Sequence, residues 1–195
     1  MTDTTPTGYV QHDLETAPAA SKPLLEKSQA AFGRLPGLHR VMAESPQHLE
    51  GYQVLHKLFL DTAFDAEEKT VVWQAINVEN ECHYCVPAHT GIAKAMKVDD
   101  AITDALRDEA PLPTPKLEAL RAFTLQMLRQ RGHVTPEQSK AFADAGYDHR
   151  AVLDVVLALA QKTMSNYVNH VAETPLDTPM ERFAWTRGAS PVAAE

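Results

Sequence analysis

Apolar side chains recur at intervals of three and four along nearly the whole chain, the spacing that lines one face of a helix. Leu24, Leu25, Ala31 and Phe32 open the pattern, and Gly33 with the Pro36-Gly37 pair breaks it. Pro46 suits the first turn of another helix, whose Leu49, Tyr52, Leu55, Phe59 and Leu60 make one apolar stripe. Asp65 is placed to cap the next, with Glu67 and Glu68 in a first turn that favours negative charge and Val71, Val72, Ala75, Ile76 and Val78 as the buried face. Further helices are expected from about His83 to Met96 and from about Asp99 to Arg107, with Asp99-Asp100 read as helix-start carboxylates and not as metal ligands. Thr114-Pro115 begins a helix that runs through Arg131 and stops at Gly132, and Thr135 with Gln138 has the form of a capping box. After the break at Gly146, Asp148 starts the long run AVLDVVLALAQKTMSNYVNHVAE. Its first half is apolar on several faces, which predicts a central helix or one in a subunit contact. Val152, Val155, Val156 and Leu159 could locally form a strand, but the length of the run favours helix. With no alternating strand pair, the predicted class is all-α, a helical bundle.

Length and charge set the organisation. The 195 residues correspond to one domain with appendages. Residues 1–17, rich in Thr, Pro, Asp and Gln, read as an extended or loosely attached arm. Residues 18–186 form the helical domain, with a Pro-rich joint near 110–115, and the small polar tail 187–195 is expected to fray. An excess of 26 acidic over 18 basic side chains argues against nucleic acid as a partner. No apolar run reaches the roughly 20 residues of a bilayer span, and the N-terminus lacks the form of a secretory signal, so a cytoplasmic protein is expected.

The chain has two cysteines, Cys82 and Cys85, within Glu79-Asn80-Glu81-Cys82-His83-Tyr84-Cys85-Val86-Pro87-Ala88-His89. Proline is tolerated only in a first turn, so Pro87 puts the cysteines around the N-terminal end of a helix. Free amide N–H groups and the dipole stabilise a thiolate there. His89 lies one turn after Cys85 on the same face, where an imidazole can handle the thiol proton. The favoured chemistry is a redox dithiol. Two alternatives stay open: a metal site built from Cys82, Cys85 and His89 with His83 or a remote His170, and a pair of inert core cysteines. A second Cys-x-x-Cys or a His-x-x-x-His, which would strengthen the metal reading, does not occur.

The segment ENECHYCVPAHT resembles the Cys-x-x-Cys-x-x-x-His signature of the carboxymuconolactone decarboxylase-like superfamily, and more closely its alkylhydroperoxidase D (peroxidase-related) branch. The likeness extends to AEEKTVVWQAINVEN and, more weakly, to SNYVNHVAETPLD. It implies an all-helical homo-oligomer that reduces hydroperoxides with a dithiol reductant of lipoyl or thioredoxin type, without a cofactor or resident metal. By the same resemblance Cys85 matches the peroxide-attacking cysteine, Cys82 the resolving cysteine and His89 the motif histidine. Tyr84 stands where better-known members have a histidine, and Thr70 where they have a relay glutamate. Glu68 is two residues out of that register, so Glu79 and Glu81 become the candidate bases. The lactone decarboxylases generally lack the cysteine pair, which ranks their chemistry below redox chemistry.

Asn166, Asn169 and His170 share a stripe of the long helix and could line a cysteine pocket, and Trp73 could wall it. His39, His48, His56, His133 and His149 are scattered and receive no role.

Overall fold

The computed structural model describes residues 3–188. Among these described residues nine helices follow in order: α1 (Lys22–Phe32), α2 (Gly37–Met42), α3 (Pro46–Leu60), α4 (Ala66–Glu79), α5 (Cys85–Ala95), α6 (Asp100–Arg107), α7 (Pro115–Arg129), α8 (Pro136–Asp144) and α9 (His149–Ala172). A short 3₁₀ turn, Thr178–Phe183, closes the order, and an isolated bridge between Thr4 and Val10 is the one β contact among the described residues. The all-α class is therefore borne out.

Local sequence signals account for most boundaries. Asp65 caps α4 and Thr135 caps α8 through reciprocal capping boxes with Glu68 and Gln138. Ser45, Thr114 and Asp148 accept from the third backbone N–H of their helices. The Pro36-Gly37 pair is more than a breaker: Pro36 stands at the N-cap position of α2, a six-residue helix too short for periodicity to reveal.

α4 is the axis of the bundle, packed against α5, α6, α7 and α9, while α9 also lies against α3 and α2. One core gathers Phe59, Trp73, Leu120, Phe123 and Phe142 between α3, α4, α7 and α8. A second, under the N-terminal helices, contains Leu25, Leu49, Tyr52, Tyr84 and both cysteines. The Pro-rich joint does not separate the helices it links, since α7 packs along α4.

The segments before α1 and after α9 are fastened by polar contacts among the described residues, which explains why an apolar period gives no sign of them. Arg40 donates to the carbonyls of Gln11 and His12 and pairs with Asp3, holding residues 3–17 against α2. Beyond α9, Asp177 accepts from the Gly37 N–H at 3.0 Å and from the Tyr84 hydroxyl at 2.6 Å, and pairs with Arg34. The 3₁₀ turn then lies on α5 at Gly91, where a Cβ would come within 2.8 Å of the Met180 sulfur. Arg187, expected in a fraying tail, instead pairs with Glu81 and Glu109. Residues 189–195 of that tail lie outside the described residues.

The turn between α4 and α5 delivers the cysteines. The Glu81 N–H donates to the Val78 carbonyl and the Cys82 N–H to the Asn77 carbonyl, a Schellman closure in which Glu81 takes the left-handed conformation at φ 52°. That conformation is costly for a residue with a Cβ and worst for a branched one. Glu81→Val should therefore lower stability by about 1–2 kcal/mol in urea unfolding, whereas Glu81→Gly should be neutral or stabilising.

Candidate active site

Cys82 ends the Schellman turn and Cys85 begins α5, so the helix N-terminus opens onto both sulfurs. The Cys85 N–H donates to Cys82 Sγ at 3.3 Å, and both thiols are free and buried. Only Cys85 reaches the wall of a narrow cavity of about 90 Å3, whose other walls include Phe32, Tyr52, His56, Tyr84, His89 and Lys162. Cys82 sits behind it.

The inner face of α9 completes the site. Asn169 Nδ2 donates to Cys85 Sγ at 3.2 Å. Asn166 donates to Asn77 Oδ1 at 3.1 Å and accepts from Asn80 Nδ2 at 2.9 Å. Asn77 and Gln74, on α4, donate in turn to the Cys85 and Val86 carbonyls, fixing the first turn of α5. Such a network pairs these buried amides, Asn169 Oδ1 excepted, and sets the position of the sulfur.

Lys162, fully buried on the same face of α9, has Nζ 3.0 Å from His89 Nε2. An ammonium has no acceptor capacity, so His89 accepts through Nε2 and carries its proton on Nδ1, which has no protein partner. Burial first, then the nearby Lys162 charge, hold His89 well below the usual imidazole range, keeping it neutral. Burial likewise pushes His39 and His56 down to about 4.

Burial taken alone would raise the Cys85 thiol. A hydrogen bond from Cys82, the Lys162 charge and the Asn169 and Asn166 amides outweigh it and lower it well below the ordinary thiol. Cys82 moves the opposite way, raised first by that same hydrogen bond and then by its burial. The two shifts run in opposite directions, so Cys85 is the sulfur that ionises more readily and Cys82 the one that keeps its proton.

The structure thus gathers Cys82, Cys85, His89, Tyr84, Asn166 and Asn169. His89 contacts Lys162 and makes no hydrogen bond to Cys85. Tyr84 pins Asp177 and accepts from the Leu38 N–H at 3.2 Å, so its role is to hold the C-terminal segment. The other candidates lie elsewhere. Glu79 is clamped by Arg129 at 2.6 and 2.7 Å, and Glu81 faces solvent with Arg187. Glu68 belongs to the α4 capping box and pairs with Lys116, and Thr70 bonds back to the Ala66 carbonyl. His170 is exposed, and His83 turns outward to the Thr174 carbonyl. The metal alternative loses its fourth ligand in this way: among the described residues no three His, Cys, Asp or Glu side chains could hold an ion.

Sequence reasoning missed Lys162, the amides of α4, and His39 and His56. These two imidazoles belong to a contiguous aromatic series from His39 through Tyr52, His56 and Trp73 to His89. The one signal for Lys162 was its register, four residues before Asn166 on the stripe of Asn166 and Asn169.

No protein-family model matches the chain, and no curated protein matches it in sequence. Solved structures do match in shape. A peroxidase-related protein from Ralstonia eutropha JMP134, described as an alkylhydroperoxidase AhpD core, superposes with a TM-score of 0.77 at 19% identity, over 87% of this chain and 92% of its own. A peroxidase-related protein from Silicibacter sp. TM1040 gives 0.76 at 16%, over 92% and 97%. A cysteine-to-alanine variant of the debrominase Bmp8, in complex with 2,3,4-tribromopyrrole, gives 0.73 at 18%, over 91% and 96%. The chain therefore has the AhpD-like helical fold.

Because Cys85 is lowered, it should alkylate with iodoacetamide at about pH 6, where an ordinary thiol near 8.5 is almost wholly protonated, and lose that reactivity only in more acidic solution. Asn169→Ala should move the midpoint of the labelling profile upward by about one pH unit.

Proposed function

We propose that the protein is a thiol-dependent oxidoreductase that reduces hydroperoxides through a Cys82–Cys85 dithiol/disulfide cycle. The observation that carries this reading is the asymmetry of the pair: a Cys85 sulfur on the cavity wall that accepts from Asn169, with Cys82 behind it and its own sulfur accepting from the Cys85 N–H.

The chemistry follows from that asymmetry. The Cys85 thiolate attacks the terminal oxygen of the hydroperoxide, an S–O bond forms as the O–O bond breaks, and the alkoxide leaves as alcohol with one added proton. Cys85 becomes a sulfenic acid and loses its charge. The interaction that held the proton on Cys82 is then gone, so Cys82 attacks the sulfenic sulfur while its proton leaves with the hydroxyl as water. An external dithiol, of lipoyl or thioredoxin type, reduces the resulting disulfide by exchange in a reducing compartment such as the cytoplasm.

Assembly as a homo-oligomer belongs to the same reading. Leu153, Val156, Tyr167 and Val171 of α9 are more than two-fifths exposed, an apolar strip that the other described residues leave uncovered. No helix among the described residues is long and apolar enough to cross a membrane.

A second reading is reductive dehalogenation, supported by the aromatic cavity wall at Phe32 and Tyr52 and by the likeness to the debrominase. There the dithiol would supply two electrons, releasing halide and forming the same disulfide.

The decisive comparison is steady-state turnover of tert-butyl hydroperoxide with dihydrolipoamide. Cys85→Ser should abolish it. Cys82→Ser should also stop cycling yet still form a sulfenic acid trapped by dimedone. Full turnover in Cys85→Ser would overturn the assignment, and bromide release from a bromopyrrole without peroxide turnover would favour the second reading.

A further inference from the structure

Reduction of a hydroperoxide at Cys85 needs a proton for the departing alkoxide, and neither expected source is at hand. The carboxylates Glu68, Glu79 and Glu81 are committed to Lys116, Arg129 and Arg187, and Tyr84 gives its hydroxyl proton to Asp177. What the cavity wall holds instead is a buried ammonium touching a buried neutral imidazole whose Nδ1, itself buried, has no partner among the described residues.

Resting on the peroxidase reading above, we propose that Lys162 supplies this proton through His89, so that the two act as a relay in place of a carboxylate. As the O–O bond breaks, the His89 Nδ1 proton passes to the alkoxide oxygen while a Lys162 proton passes to Nε2. The alcohol leaves, the sulfenic acid remains, the imidazole is neutral before and after, and Lys162 ends as an amine. When the external dithiol later returns Cys85 to a thiol, its ionisation gives Lys162 back the proton.

Charge balance supports this route. Before the step the cavity holds a Cys85 thiolate and a Lys162 ammonium; afterwards it holds neither. Had the proton come from elsewhere, a fully buried ammonium would be left with its counter-charge consumed, a costly state. A neutral imidazole is also the right intermediary: it can donate from one nitrogen as it accepts at the other, without becoming a buried cation. The titratable groups that face the ammonium are Cys82, Cys85 and His89 at the head of α5 and His56 on α3, and burial keeps His56 neutral. Apart from the ammonium, the thiolate is thus the one charge in this set.

Lys162 is also expected to stabilise the thiolate, so the test must separate the two effects. Single-turnover oxidation of Cys85 is measured for wild type, Lys162→Met and Lys162→Arg, each at the alkaline plateau of its own pH profile, where the thiolate is fully formed. Two oxidants are compared: tert-butyl hydroperoxide, whose alkoxide needs a proton to leave, and peracetic acid, whose carboxylate does not. Lys162→Met should slow the first reaction by about 100-fold and the second by less than about tenfold, with partial rescue in Lys162→Arg. Equal slowing with both oxidants, or none with either, would overturn the relay. A measurement on wild type alone covers the case in which Lys162→Met does not fold: a solvent deuterium isotope effect should accompany tert-butyl hydroperoxide and be absent with peracetic acid, and its absence from both would again overturn the proposal. If wild type is oxidised at Cys85 by neither reagent, the peroxidase reading itself falls, an outcome distinct from failure of the relay.

Discussion

A thiolate among apolar side chains is unstable unless specific groups compensate its lost hydration, and the rest of this structure depends on how Cys85 meets that demand. Burial acts to protonate it. Four polar groups oppose this: the Cys82 thiol, the Lys162 ammonium, and the Asn169 and Asn166 amides. Each is itself buried and tolerable only because it has a partner, so the sulfur and its surroundings stabilise one another. Removal of one member would leave another uncompensated, which is why the site is sensitive well beyond the two cysteines.

This demand explains the unusual amphipathicity of α9. Its buried stripe changes from Val155 and Ala158 to Gln161, Lys162, Ser165, Asn166 and Asn169, while Leu153, Val156, Tyr167 and Val171 point outward. The helix buries its polar residues beside the sulfur and exposes its apolar ones. On α4 the same demand places Gln74 and Asn77 in the interior, where they hold the carbonyls at the head of α5. The left-handed Glu81 accepts backbone strain so that the chain can turn from α4 into that position.

Legibility in the sequence follows from these facts. The capped helices were readable because Asp65, Thr114, Thr135 and Asp148 act locally. The cysteine helix was readable because Pro87 permits a helix start in one place only. Asn166 and Asn169 could be picked out by spacing. The helix α2 was not readable, because six residues carry no period. The fastening of the N-terminal arm and of Arg187 was equally hidden, since it rests on ion pairs and carbonyl contacts between distant segments. Lys162 was missed because a lysine on a long helix is ordinarily solvated, and the rule that charge lies outside fails where a second charge is buried to meet it. Glu79 and Glu81 were mistaken for a base because nearness in sequence stood in for nearness in space; their arginine partners lie about fifty residues and more away along the chain.

On this reading Cys82 and Cys85 form one redox unit in which Cys85, the sulfur on the cavity wall, reacts first. Intact-mass analysis after one equivalent of hydroperoxide tests it most directly. Both thiols should disappear together, with loss of two hydrogens per chain and a peptide linking Cys82 to Cys85. A protein that keeps both thiols after its peroxide is consumed, or gains oxygen at Cys82 with Cys85 untouched, would contradict it.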